Sequence, residues 1–227
     1  FEDPQILNVE AVTTVYYDDT KTLKDASSIA SDVKNTLTKY SEAPNVEKFG
    51  GAVRYSRVIG SIDDSDPSIT RNITNLRMRR DIEIVPNTSA SYEICFENPL
   101  NKDPLNSVVY STGFKLSING VLDPKTYFMR DVNDIEDVDN GRVILFYLDE
   151  FNKEVIVDKE FGTVDYEKGE VLIGYQKPIK IYDTELSDYM LQIRAIPRDV
   201  DITAKQFIYL NFDVSSSIIN AVEETGN

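Results

Sequence analysis

Residues Phe49 to Val85 constrain the fold of this chain more than any other stretch. Phe49-Gly50-Gly51 opens a turn. From Ala52 to Ile62, the residues Tyr55, Val58, Ile59 and Ile62 recur at steps of three and four, which puts them on one face of a helix. Asp63-Asp64-Ser65-Asp66-Pro67 ends that helix, because the residue before a proline is pushed out of the helical region. Ser68 to Val85 then reads as one long strand. Ile69 and Ile73 share one parity, whereas Leu76, Met78, Ile82 and Ile84 share the other, so a bulge near Thr74-Asn75 is expected.

Upstream, Val9, Ala11, Thr13, Val15 and Tyr17 alternate within Ile6–Tyr17, the pattern of a half-buried strand. Thr22, with Asp25 three residues on, is the expected cap of a helix from Leu23 to Tyr40. Its apolar stripe is Leu23, Ala26, Ala30, Val33, Leu37 and Tyr40. The first 86 residues therefore form a strand-helix-helix-strand unit of two layers. Pro86-Asn87-Thr88-Ser89 marks a boundary. Beyond it the pattern becomes one of short strands: 91–97, 107–118, 127–131, 142–148, 154–157 and 171–175. Turn signals stand at Asn119-Gly120, Asn140-Gly141 and Lys168-Gly169. The fold class is α+β, with residues 1–86 as the α+β domain and 87–186 as a β-rich antiparallel domain. Residues 187–214 are closing strands, with a return to the first domain left open, and 215–227 are a tail, frayed or ordered by a partner.

Composition removes several functions. Formal net charge is −15, the wrong sign for a partner made of nucleic-acid phosphates or an anionic membrane surface. No apolar run approaches the ~18 residues of a bilayer span. The start Phe1-Glu2-Asp3-Pro4 is neither signal-like nor opened by Met, and reads as the interior of a longer chain. Histidine is absent, so no Ser–His, Cys–His or His-ligated zinc site can be completed from these residues. The single Cys95, between Ile94 and Phe96, is a buried thiol with no intrachain disulfide.

The acidic clusters are candidate cation sites by charge alone. Asp63, Asp64 and Asp66 lack the glycine of a calcium loop and read as turn chemistry. In Asp131–Gly141, aligning Gly141 with that glycine puts Val138 where a ligand is needed, so a solvated or docking loop is expected. Asp165 and Glu167 are a carboxylate pair of the kind glycosidases use, but they sit at a predicted hairpin in a chain without tryptophan. No catalytic, cofactor-binding or metal-binding residue is assigned. Arg71, Arg77, Arg79 and Arg80 form a basic cluster in an acidic protein, and the first three share strand parity. They are either a salt-bridged strand face or an interface patch.

The run Phe49-Gly50-Gly51-x-x-Arg54-Tyr55-Ser56-Arg57-Val58-Ile59-x-x-Ile62-Asp63-Asp64-Ser65-Asp66-Pro67-Ser68-Ile69, ending near Asn75-Leu76-Arg77-Met78-Arg79, resembles the baseplate wedge protein of T-even-type contractile-tailed phages, a relative of the baseplate J family. Gly162-Thr163-Val164-Asp165-Tyr166-x-x-Gly169-x-Val171 is a second stretch similar to that family, and Met190–Pro197, Asp201-Ile202 and Phe207–Val214 resemble its closing strands. The resemblance implies a structural role and no enzyme. It implies a virion protein of the tail baseplate, assembled in the host cytoplasm, that pairs with itself as a dimer or ring, contacts other wedge proteins and takes part in the rearrangement triggering sheath contraction. It favours the interface reading for Tyr55, Arg57, Arg71, Arg77, Arg79 and Arg80. No cofactor is expected; the alternative is a receptor- or glycan-binding β domain of a phage tail or bacterial adhesin, with calcium dependence left open.

Overall fold

The computed structural model describes residues 5–118, 120–133, 139–175 and 177–224. Along the chain, β1 (Gln5–Tyr17), α1 (Ala26–Ser41), β2 (Lys48–Phe49), β3 (Ala52–Val53), α2 (Tyr55–Asp63) and β4 (Ile69–Glu83) come first. Next are β5 (Ser89–Ala90), β6 (Tyr92–Cys95), β7 (Val109–Ser111), β8 (Phe114–Ile118), β9 (Val121–Leu122) and β10 (Tyr127–Asn133). They are followed by β11 (Asn140–Leu148), β12 (Glu154–Asp165), β13 (Glu170–Ile173), β14 (Ile179–Thr184) and β15 (Met190–Ala195). The chain ends with β16 (Ile202–Thr203), β17 (Ile208–Phe212) and β18 (Ile218–Glu223). The fold is α+β, with a large β-rich part.

Packing divides the chain into two units: residues up to Met78 together with those from Val200 on, and Arg79–Asp199. The division falls inside β4, whereas the sequence places it after residue 86. The polar turn there marks the end of a strand, and a strand can belong to two packing units. Residues 187–199 stay with the second unit and the chain from Val200 rejoins the first.

In the first unit, β1 is the central strand. Leu7, Val9, Ala11, Val15 and Tyr17 are fully buried on one face. β17 pairs with it in parallel, Val9 opposite Phe212, and Tyr40 of α1 meets the Phe212 ring edge-on at 5.6 Å. That face is therefore the one α1 covers. The helix starts three residues later than expected: Asp25 is its cap, accepting the Ser28 N–H at 2.8 Å, while Thr22 accepts the Lys24 N–H in the turn before it. Leu23 consequently lies outside the helix, fully exposed, and the buried stripe is Ile29, Val33, Leu37 and Ser41. Two short strands, β2 and β3, flank Gly50-Gly51, so α2 begins at Tyr55 instead of Ala52. Gly50 has φ +66°, and a Cβ on Gly51 would stand 2.0 Å from the Val46 carbonyl oxygen. Along β4, Thr74, Leu76 and Met78 are buried with a single parity and Ile73 is exposed, so the parity conflict is met by leaving one isoleucine in solvent.

The segment read as a tail contains β18, which pairs in parallel with Val12–Tyr17 of β1 beyond the end of β17. Between β17 and β18 the chain turns on Asp213, whose carboxylate accepts the Ser216 N–H at 3.1 Å. The Ser217 hydroxyl takes the Ala11 N–H at 2.9 Å, a donor that the interruption would otherwise leave without its ladder partner.

In the second unit the strand order is β15-β7-β10-β11-β12-β13-β6, antiparallel at every described pairing, with β8 beside β10 and β14. The strand expected over 107–118 is broken at Thr112-Gly113, where β7 leaves β15 and β8 takes up β14. Gly113 permits the switch: a Cβ there would come within 2.4 Å of the Glu185 carboxylate, which instead accepts the Gly113 N–H at 2.9 Å. Asn140-Gly141, read as a turn, lies within β11, Gly141 standing opposite both Asn133 and Val164. Gly169, at φ +71°, does close the β12–β13 hairpin. Asn119 of the first turn signal lies outside the described residues.

Candidate interface on the arginine-bearing strand

The arginines of β4 run from solvent into the interior of the chain. Arg71 is exposed; its guanidinium lies 3.7 Å from the centre of the Tyr16 ring and pairs with Glu224 at 2.9 Å. Arg77 is mostly buried and pairs at 3.1 Å with Glu10, whose side chain is wholly buried. Those five groups, with Tyr55 and Arg57, belong to the first unit. In the second unit Arg79 is buried and grips Asp81 with two hydrogen bonds, from Nε at 2.8 Å and Nη2 at 3.1 Å. Arg80 is half-buried, and burial lowers its pKa while Cys95, Glu97 and Asp81 oppose that. Shared parity thus does not make a row of free cations. A buried pair such as Arg77–Glu10 is expensive to break, at about 3–5 kcal/mol, because the remaining charge loses its counter-charge in a low dielectric.

Tyr55 opens α2, where its hydroxyl donates to the Thr74 carbonyl at 2.9 Å and its N–H to Asp201 Oδ1 at 2.9 Å. Asn72 reaches back from β4 to Asp63 Oδ1 at 2.7 Å, so helix and strand are tied at both ends of α2. Arg57, on the solvent side of the same helix, is exposed. Sequence reasoning missed the carboxylates that hold these arginines. Glu10 alone carried a signal, as a charged residue in the middle of an apolar strand; Glu224, in the segment taken as a tail, carried none.

The acidic clusters resolve into structural roles. Asp66 is buried and accepts the Ser68 N–H at 2.8 Å, with Lys24 Nζ at 2.6 Å on its other oxygen. Burial alone would raise its pKa; the bonds from Lys24 and Ser68 outweigh it and hold the carboxyl below its usual range. Asp165 bonds Lys168 across the hairpin and Glu167 bonds Arg198, which leaves no paired acid and nucleophile. Residues 134–138 of the acidic stretch, including Val138, lie outside the described residues. Asp131, at its start, sits in β10 at 1% exposure. Its Oδ1 accepts the Val108 and Val109 N–H groups at 2.8 and 2.9 Å, and its Oδ2 accepts the Tyr166 hydroxyl at 2.8 Å. Burial pushes its pKa up in spite of those bonds, and burial with the Asp131 charge pushes Tyr166 up as well. Among the described residues, Glu93, Cys95 and Glu170 bring potential metal-ligand atoms within 4.8 Å of one another. Burial, followed by the surrounding carboxylates, raises the Cys95 pKa, which keeps the thiol protonated and a poor ligand.

Within each unit these charged groups are engaged in ion pairs, caps and turns. Residues 5–81 match the family described as baseplate structural protein gp6, C-terminal domain III. The match runs from β1 into β4, about a third of the chain, and supports a phage baseplate protein located in the virion tail. That family is structural, consistent with a protein that is not an enzyme. No curated protein matches the chain. Among the described residues no helix is long and apolar enough to cross a membrane.

Proposed function

We propose that this protein is a wedge component of a contractile-tail baseplate. It associates with a second copy as a dimer or within a ring, contacts other wedge proteins and takes part in the rearrangement that triggers sheath contraction. The observation that carries this reading is the family match over 5–81, which covers the strand-helix-helix-strand stretch of the first unit and three residues more of β4. The arginine placements refine it. Arg77 and Arg79 clamp β4 from within, and Arg80 is half-buried beside them. Exposed Arg57 and Arg71, with half-buried Tyr55 between helix and strand, are the side chains offered to a partner.

Sedimentation velocity of the chain over a wide concentration range tests self-association. A concentration-dependent dimer is expected, weakened about tenfold, or ~1.4 kcal/mol, by Arg57→Glu, which removes an exposed cation without breaking an internal pair. A species that stays monomeric at the highest concentration contradicts self-association.

A further inference from the structure

We infer that a groove in the second unit is a docking site for an extended, acidic polypeptide segment of another protein, added as a strand to the open edge of β12. This stands independently of self-association through the first unit.

β12 pairs with β11 at Glu154–Ile156, at Asp158 and at Gly162–Asp165, but with β13 only from Gly162 to Asp165. Over residues 154–161 it therefore has, among the described residues, one strand neighbour instead of two; only the Phe161 carbonyl is engaged on the far side, by the Gly174 N–H at 3.2 Å. The register explains why. Val143 stands opposite Gly162 and Leu145 opposite Asp158, so two steps on β11 match four on β12. The surplus residues form a bulge next to the point where β13 ends, at Ile173 opposite Gly162. Gly162 is required at the junction, since a Cβ there would lie 2.2 Å from the Leu172 carbonyl oxygen.

Beside this free edge lies a cleft of about 850 Å³. Its apolar lining includes Leu116, Leu145, Phe161 and Leu172, and its rim carries Tyr175, which is 76% exposed. Three cations face it, Arg142, Lys177 and Lys180, all exposed and none within ion-pair distance of a described carboxylate. The facing carboxylates are Asp158 and Glu160, and Asp158 Oδ1 is already occupied by the Glu160 N–H at 2.9 Å. The cleft is thus net positive in a chain of net charge −15. An open strand edge supplies main-chain donors and acceptors, the cleft beside it has room for side chains of the added strand, and the unpaired cations select acidic ones.

Fluorescence anisotropy with a labelled octapeptide of alternating Glu and Val tests this on the whole chain. Saturable binding is expected, at least about tenfold weaker for a Lys-Val octapeptide, for the Glu-Val peptide N-methylated at alternate residues, and for Lys177→Glu/Lys180→Glu. The substituted side chains are exposed, so unchanged thermal melting should confirm folding; Arg142→Glu is the second variant if the double one does not fold. No saturation up to about 1 mM peptide overturns the proposal. Undiminished binding of the Lys-Val peptide or by the charge-reversed variants overturns the charge selection. Undiminished binding of the N-methylated peptide overturns strand addition. Displacement by inorganic phosphate at constant ionic strength overturns a polypeptide site in favour of a small-anion one.

Discussion

At the scale of single residues, Asp131 is the most consequential polar group in the second unit. One oxygen closes two strand amides and the other holds the Tyr166 hydroxyl. Asp131→Ala should cost about 2–4 kcal/mol in urea unfolding, because two buried N–H groups lose their acceptor. Asp131→Asn keeps an acceptor for them and should remain within about 1 kcal/mol of the parent at neutral pH. The sign follows from the raised pKa: such a group favours folding below its unfolded value and loses that contribution as pH rises through the folded one, so removing the charge relieves a penalty at neutral pH. Gly141 belongs to the same node, since a Cβ there would lie 2.5 Å from the Tyr166 hydroxyl. From sequence, Asp131 is the end of a strand and the start of an acidic stretch, with no sign of burial. Its neighbours Val108, Val109 and Tyr166 are more than twenty positions away, and no local pattern joins them.

At the scale of elements, the two ends of the first unit carry the clearest tests. The start of α1 is fixed by Asp25 and not by Thr22. Asp25→Ala should lower the midpoint of the same unfolding experiment measurably and Thr22→Ala much less. β18 should be visible in hydrogen exchange: alternate amides of Ile218–Glu223 protected by β1, as a parallel ladder requires, and the others exchanging quickly. Uniformly fast exchange would return the segment to a frayed tail. β1, α2 and the long β4 were legible because alternation and three-four spacing are local properties. Ile29 escaped the helical stripe because the stripe was anchored on Leu23, which lies outside the helix. β14 escaped because Pro178, Lys180 and Tyr182 obscure its alternation, and β18 because its pairing partner is some two hundred residues earlier. In the candidate site, parity placed the arginines on one strand correctly but carried no information about how deep each one lies.

At the scale of the whole molecule, acidity is both a surface property and a source of pH sensitivity. Asp18 is held at about 2 chiefly by its bond from Thr20, then by Lys21, and Asp25, Asp66, Asp103, Asp165, Asp201 and Glu224 are also lowered. Depressed carboxyls contribute stability above their unfolded values, near 4, and lose it as pH falls through the folded ones. The melting temperature should therefore fall steeply between about pH 4 and 2; a flat profile there would show that these turn and cap carboxylates hold little. None of these groups is arranged for catalysis, and the chain has no histidine to act as a base. Its charges cap helices, close turns and clamp β4, as suits a structural part that works by contact with neighbours.

Cross-linking mass spectrometry on intact phage tails, using reagents that join lysines and carboxylates, tests that role most directly. Links are expected from this protein to a second copy of itself and to other baseplate proteins, with the self-links near Arg57 and Arg71 of the first unit. Tails that contain the protein but yield no links to any neighbour would contradict it.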